Sequence, residues 1–61
     1  MKTYEEYVYY SNIQRWKKEC DLIHEWCKQN CNHAFFVDPL SLSARVTFVD
    51  ESDFVAFKIG Y

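Results

Sequence analysis

The chain has 61 residues, of which 49% are apolar and 20% aromatic, with a single Gly and a single Pro. This composition excludes a disordered segment, because such segments lack the large apolar side chains that build a core. The formal net charge of −2 provides no basic field, so nucleic acid is not favoured as a partner. We expect one small domain over residues 1–61, whose small core needs support from a partner, a metal or a disulfide.

Residues 3–31 predict one long amphipathic helix that begins at Tyr4. A capping-box pattern, Thr3 followed three residues later by Glu6, stands at its start. Its apolar residues recur at steps of four and three, as in a heptad seam: Tyr9, Ile13, Trp16, Cys20, Ile23 and Cys27. Residues 7–10 favour a strand by propensity, which leaves open a separate first element with the helix restarting at Asn12.

The length of this predicted helix has a consequence for its N-terminal end. A helix over residues 4–31 would be about 42 Å long. A compact chain of this size has a diameter of roughly 27 Å. The N-terminal end would overhang the domain, and we predict that it bends, frays or lies against another chain.

Two short apolar runs, residues 34–37 and 45–49, predict an antiparallel pair of strands. Asp38 and Pro39 end the first run with a turn signal, and residues 40–43 are predicted to form a loop. The connection is therefore expected to be longer than a tight hairpin turn. A two-stranded sheet is unstable alone, so we expect it to pack on the seam of the helix.

Residues 50–61 fit a short C-terminal helix, with a third strand as the alternative. In the helix, Asp50 is the N-cap, Asp53 takes the third position, Phe54 and Phe57 face inward, and Gly60 ends the element. In the strand, alternate residues from Val55 to Tyr61 would share one face. The predicted fold class is α+β, with a long N-terminal helix packed on a small antiparallel hairpin and a short C-terminal helix.

Cysteine and histidine residues recur at a spacing that calls for a test of metal binding: Cys20, His24, Cys27, Cys31 and His33. Cys20 and Cys31 would lie about 16 Å apart along a helix and cannot share one ion. Cys27, Cys31 and His33 can share zinc only if the helix ends before Cys31 and a fourth ligand comes from elsewhere. We predict instead that the thiols pack as small apolar groups, with no metal and no cofactor. The odd number of cysteines favours reduced thiols and a cytoplasmic protein.

The sequence favours neither an enzyme nor a membrane protein. A short chain with one Gly has little means to build the pocket that a small-molecule substrate requires. No apolar run approaches the ~20 residues of a membrane span, and no secretory segment is evident.

Aromatic residues beside the seam predict a protein-binding surface. Tyr and Trp are enriched at the centres of interfaces, and an exposed aromatic patch marks an interaction site. The predicted interface residues are Tyr4, Tyr7, Tyr10, Leu22 and Trp26. For Leu22 and Trp26, packing beneath the sheet is an equally good alternative.

The string FVDESDFVAFKIGY at residues 48–61 resembles a recurrent ending of small uncharacterised proteins from tailed bacteriophages. That ending has an aromatic strand, an acidic turn, then Phe, a basic residue, an aliphatic residue and a terminal aromatic. Many of those proteins also carry a Trp-Cys pair on the preceding helix, matched here by Trp26 and Cys27. Gly60 stands where a basic residue is usual, and Tyr61 where Trp is more frequent. The resemblance implies a viral origin and a host-cell cytoplasmic location, with no established activity and no functional residues.

We therefore predict a non-catalytic protein-interaction module, a phage accessory protein that binds and inhibits a host or viral protein. A self-associating structural subunit of a virion or homo-oligomer is the alternative. A second alternative is a nucleic-acid binder that uses basic residues of the helix. Acidic Asp21 and Glu25 lie among these basic residues and weaken that alternative. The basic residues concerned are Arg15, Lys17, Lys18 and Lys28.

Overall fold

The computed structural model describes residues 2–61 as three strands and two helices. Their order is β1 (Tyr4–Tyr9), α1 (Ile13–Asn30), β2 (Phe35–Leu40), β3 (Ser43–Phe48) and α2 (Glu51–Gly60). β3 lies between β1 and β2 and is antiparallel to both, so β1 and β2 run parallel as in a split βαβ unit. The predicted α+β class is confirmed, but the sheet has three strands because the N-terminal segment joins it.

The prediction of one helix over residues 4–31 is wrong, since residues 4–9 form β1. Burial alternates along this strand, and Tyr4, Glu6 and Val8 face the helices. Its partner is the whole length of β3, and this long-range pairing prevails over the local capping-box signal. α1 starts after Asn12, whose side chain accepts the N–H of Arg15 at 2.8 Å. This is the alternative start that the sequence left open.

The shorter helix removes the predicted overhang. α1 has 18 residues and is about 27 Å long, within the 32 Å longest dimension of the protein. Of the predicted heptad seam, Cys20, Ile23 and Cys27 pack in or against the core, whereas Tyr9 and Ile13 are exposed. Trp16, near the start of α1, is half-buried, and its indole N–H donates to the carbonyl of Ser43 at 2.7 Å.

β2 and β3 form a tight hairpin, so the prediction of a longer connection is wrong. Leu40 pairs with Ser43, which leaves only Ser41 and Leu42 in the turn. Pro39 does not end β2, because β2 is an edge strand and proline is tolerated there. Leu42 adopts a φ of 53°, a left-handed conformation that costs a non-glycine residue roughly 1–2 kcal/mol. Its carbonyl accepts the N–H of Tyr10 at 2.9 Å, which ties the turn to the end of β1.

The predicted C-terminal helix is confirmed, and the alternative third strand is wrong. The carboxylate of Asp50 accepts the N–H of Asp53 at 3.3 Å and caps the first turn. Acidic residues in the first turn and Lys58 in the last turn match the helix dipole. The helix ends at Gly60, as predicted.

Both helices pack on one face of the sheet, and the core between them is small and aromatic. Phe48 of β3 lies at its centre, with its ring centroid 5.4 Å from that of Phe57 and 6.1 Å from that of Phe54. Neither helix within residues 2–61 has the length and apolar character needed to cross a membrane. The fully or almost fully buried apolar residues are Ile23, Cys27, Ala44, Val46, Phe48 and Phe57.

Candidate interaction surface

In the part of the chain that the structure describes, no element covers the sheet face opposite the helices. We call this the outer sheet face, and the strand register arranges it in three rows across β1, β3 and β2. The rows are Glu5–Thr47–Phe36, Tyr7–Arg45–Asp38 and Tyr9–Ser43–Leu40. Four large apolar side chains on this face are 38–76% exposed: Tyr7, Tyr9, Phe36 and Leu40. An exposed apolar group of this kind on a small domain marks an interaction site.

Arg45 lies at the centre of the outer sheet face and is held there by its neighbours. Its Nη2 and Nε atoms lie 3.2 and 3.4 Å from Oδ2 of Asp38. Oε2 of Glu5 is 4.0 Å from Nε. Hydrogen bonds to Asp38 and Tyr7 raise the pKa of Arg45, so its guanidinium stays charged. Guanidinium has five N–H donors, which leaves donors for the carboxylate or carbonyl oxygen of a partner.

The charge of this face argues against binding to a phosphate backbone. Glu5 and Asp38 carry two negative charges against one positive charge on Arg45. Of the basic residues of α1, Arg15 lies near exposed aromatic side chains, because it lines one groove with Tyr9 and Tyr61. The aromatic side chains of the outer sheet face thus lie beside a net negative charge, whereas a nucleic-acid interface combines aromatic with positively charged groups.

The structure distributes the five predicted interface residues over different surroundings. Tyr7 lies on the outer sheet face, and Leu22 is exposed on α1. Tyr4, Tyr10 and Trp26 are half-buried and pack against the core. The five do not form one surface, and their role in binding stays a prediction.

Tyr4 and Trp26 are half-buried because their rings pack against aromatic residues of the C-terminal segment. The ring of Tyr4 stacks on Phe54, with 5.5 Å between centroids. Trp26 meets Phe57 edge-to-face at 5.5 Å and Tyr61 at 6.1 Å. These contacts attach α2 to the rest of the domain, which accounts for both residues structurally.

Sequence reasoning missed three members of the outer sheet face. The sequence pattern places Tyr9 in the helical seam, Phe36 in a strand without indicating its face, and Leu40 in a loop. The available signal was the alternation of residues 4–9, which places Tyr7 and Tyr9 on one face once the segment is a strand.

A shallow groove of about 490 Å³ lies beside the end of β1. Tyr61 closes one side of it, where its hydroxyl donates to Oε2 of Glu19 at 3.4 Å. The Tyr10 hydroxyl is buried here and has no hydrogen-bond partner within residues 2–61. Burial raises the pKa of Tyr10, and burial also raises the pKa of Tyr61 to about 12.

A second polar cluster joins the end of α1 to the start of α2. Nδ1 of His33 lies 3.4 Å from Oδ2 of Asp53 and 3.7 Å from Oδ2 of Asp50. Within residues 2–61 this is the one group of three whose candidate metal-ligand atoms all lie within 4.8 Å of one another. Cys27, Cys31 and His33, the zinc candidates from the sequence, do not form such a group.

The carboxylates of this cluster already have structural partners. Asp50 caps α2 through the N–H of Asp53. Asp53 accepts the N–H groups of Asn32 at 3.2 Å and His33 at 3.0 Å. The acidic residues at 50–53 therefore serve the helix start, as the cap interpretation predicted, and they fasten the α1–β2 connection to α2.

No family model matches this chain, and neither a curated protein nor a solved structure is similar to it. Its function is therefore inferred from its own surfaces.

The buried thiol of Cys27 predicts a loss of stability at alkaline pH. Burial, with a smaller contribution from Cys31, raises the pKa of Cys27 from 9.0 to about 12. The thiol ionises in the unfolded chain above pH 9.0 and stays protonated in the folded chain, so folding is disfavoured as pH rises from 9.0 towards 12. We expect the free energy of unfolding to fall by on the order of 1–2 kcal/mol between about pH 8 and about pH 10.5.

Urea unfolding followed by circular dichroism measures this change. Cys27→Ala removes the ionising group, so the variant should lose less stability over the same pH interval than the natural sequence. Equal losses in the two proteins would show that other groups, such as Tyr61, cause the alkaline transition.

Proposed function

We propose that this protein is a non-catalytic interaction module that binds another protein through its outer sheet face and inhibits or modulates it. The observation that carries this proposal is the uncovered sheet face with Tyr7, Tyr9, Phe36 and Leu40 exposed around a charged Arg45. Aromatic residues and Arg are the residue types that contribute most to binding at the centres of protein interfaces.

The size of the face indicates the kind of complex. Three strands of six residues give a surface of roughly 14 by 20 Å, from the spacing of strands and the rise per residue. A standard interface buries about 800 Å² on each partner. The outer sheet face is thus the centre of an interface, and surrounding loops supply its rim. A complex restricted to this face would be transient.

The phage accessory role is inferred from the C-terminal resemblance alone. Phe48, Phe54 and Phe57 of the matching string pack in or against the core. The resemblance therefore concerns residues that stabilise the domain, and it supplies none of the residues of the outer sheet face on β1 and β2. A host or viral protein is the partner that this setting favours.

Affinity capture from bacterial lysate with quantitative mass spectrometry tests the proposal. The double variant Phe36→Ser/Leu40→Ser removes two exposed side chains of the outer sheet face. We expect it to reduce capture of a specific partner at least tenfold, because residues at an interface centre each contribute about 1–2 kcal/mol or more.

Ile59→Ser is the matched control, since Ile59 is 82% exposed on α2, away from the outer sheet face. It should leave capture unchanged, and circular dichroism should show the same fold in both variants. Capture that survives the double variant, or that Ile59→Ser also abolishes, would refute binding through the outer sheet face.

A further inference from the structure

The two edges of the sheet differ in their ability to accept another strand. At the β2 edge, the N–H of Val49 donates to the carbonyl of Ala34 at 3.5 Å. This bond shows that the even residues of β2 direct their backbone groups towards β3. Residues 35, 37 and 39 then turn their backbone groups away from β3, towards the outside. Position 39 is Pro, which has no N–H, so this edge is interrupted where a new strand would need a donor.

The β1 edge has no such interruption. The N–H of Tyr10 donates to the carbonyl of Leu42, so the even residues of β1 direct their backbone groups towards β3. Glu5, Tyr7 and Tyr9 then direct their N–H and C=O groups to the free side. Residues 4–9 contain no Pro, Gly or Lys, and their register with β3 is continuous without a bulge. The protections of this strand are the charged residues Glu5 and Glu6, and charge opposes strand pairing only where like charges come to lie opposite each other.

We propose that a second copy of this chain occupies the β1 edge, with the two β1 strands antiparallel about a two-fold axis at Tyr7. The result is one continuous six-stranded sheet with all four helices on the same face. This inference concerns the edge of the sheet and is independent of partner binding through the outer sheet face.

The position of the axis follows from hydrogen bonding within Tyr4–Tyr9. With Tyr7 on the axis, all three residues with outward backbone groups find partners in the other strand, Glu5 opposite Tyr9 and Tyr7 opposite its own copy. Each opposed pair exchanges two N–H···O bonds. An axis at Glu6 or Val8 leaves one of the three residues without a partner inside the strand.

Charge also selects this register. An axis at Glu6 sets the two Glu6 carboxylates directly opposite each other, which destabilises strand pairing. With the axis at Tyr7, Glu6 lies opposite Val8 and Glu5 opposite Tyr9, so no like charges are directly opposed. The strand is thus complementary to itself in the register that also makes the most hydrogen bonds.

Sedimentation equilibrium measures the dissociation constant of the dimer. The concentration series extends to about 1 mM, so that weak association is detected. Tyr7→Lys sets two ammonium groups against each other at the axis, and we expect it to weaken dimerisation at least tenfold. Phe36→Lys, on the same sheet face but on β2, is the matched control and should change the dissociation constant by less than threefold. Tyr7→Pro removes an N–H that faces the free edge, and it should also abolish the dimer.

Disulfide mapping checks the register. An oxidised mixture of the Glu5→Cys and Tyr9→Cys variants should form a crosslink between positions 5 and 9, at a yield well above either variant alone. A monomer at every concentration, equal weakening by Tyr7→Lys and Phe36→Lys, or crosslinks in another register would each overturn the proposal. A monomer that captures a foreign protein in a way that Tyr7→Pro abolishes, but Phe36→Ser/Leu40→Ser does not, would assign the edge to that protein and overturn the dimer.

Discussion

Replacement of Phe48 by Ala is expected to remove half or more of the free energy of unfolding of the protein. Phe48 is completely buried in the central strand and contacts the rings of Phe54 and Phe57. Truncation of a buried Phe costs about 3–5 kcal/mol, whereas a domain of this size has roughly 3–9 kcal/mol of total stability. Urea unfolding followed by circular dichroism should show the midpoint of unfolding move to a much lower urea concentration.

Phe36→Ala is the matched control for this prediction. Phe36 is the same residue type, lies in the same sheet and is 57% exposed on the outer sheet face. We expect its replacement to cost less than about 1 kcal/mol, as is usual for surface positions. Similar losses for the two variants would show that the helices do not pack on the sheet face that Phe48 occupies.

Asp53→Ala is expected to lower the free energy of unfolding by about 2–4 kcal/mol. Its carboxylate is 3% exposed and accepts two backbone N–H groups, those of Asn32 and His33. Hydrogen bonds to a charged group contribute about 1.5–3 kcal/mol each, and removal of the acceptor leaves the donors without a protein partner. Thermal unfolding should show a fall in Tm on the order of 10–20 °C.

Two further variants separate these hydrogen bonds from simple helix-dipole effects. Glu51 is also an acidic residue in the first turn of α2, but it is exposed. Glu51→Ala should cost only about 0.5 kcal/mol. Asp53→Asn retains one acceptor oxygen and should fall between the two. A Glu51→Ala loss as large as that of Asp53→Ala would attribute the effect to charge at the helix N-terminus.

The sequence predicted the C-terminal helix but misplaced the N-terminal segment, for opposite physical reasons. Asp50 and Gly60 act through caps that involve residues within a few positions, so the local sequence is sufficient. Residues 4–9 become a strand because β3 is available about 40 residues later, and that pairing is not visible in the local spacing. Tyr9 even matches a helical seam, although it lies in β1.

The candidate surface depended on the same long-range pairing and was therefore only partly predictable. Tyr7 could be recognised as an aromatic residue with no evident partner in the core. Phe36 and Leu40 become neighbours of Tyr7 only when β3 brings β1 and β2 into one sheet. The tight turn could not be predicted from the sequence, because Leu42 adopts a left-handed backbone conformation that its residue type does not favour.

The position of Pro39 has a consequence for aggregation. Open-ended fibres require a sheet that can extend at both edges, because each added molecule must present a fresh edge to the next one. In this protein the β2 edge lacks a backbone N–H donor at Pro39. Once a strand has paired with β1, the free edges that remain are β2 edges, each interrupted at Pro39. Assembly through the sheet is thereby finite, and a chain with one uninterrupted free edge does not polymerise into filaments.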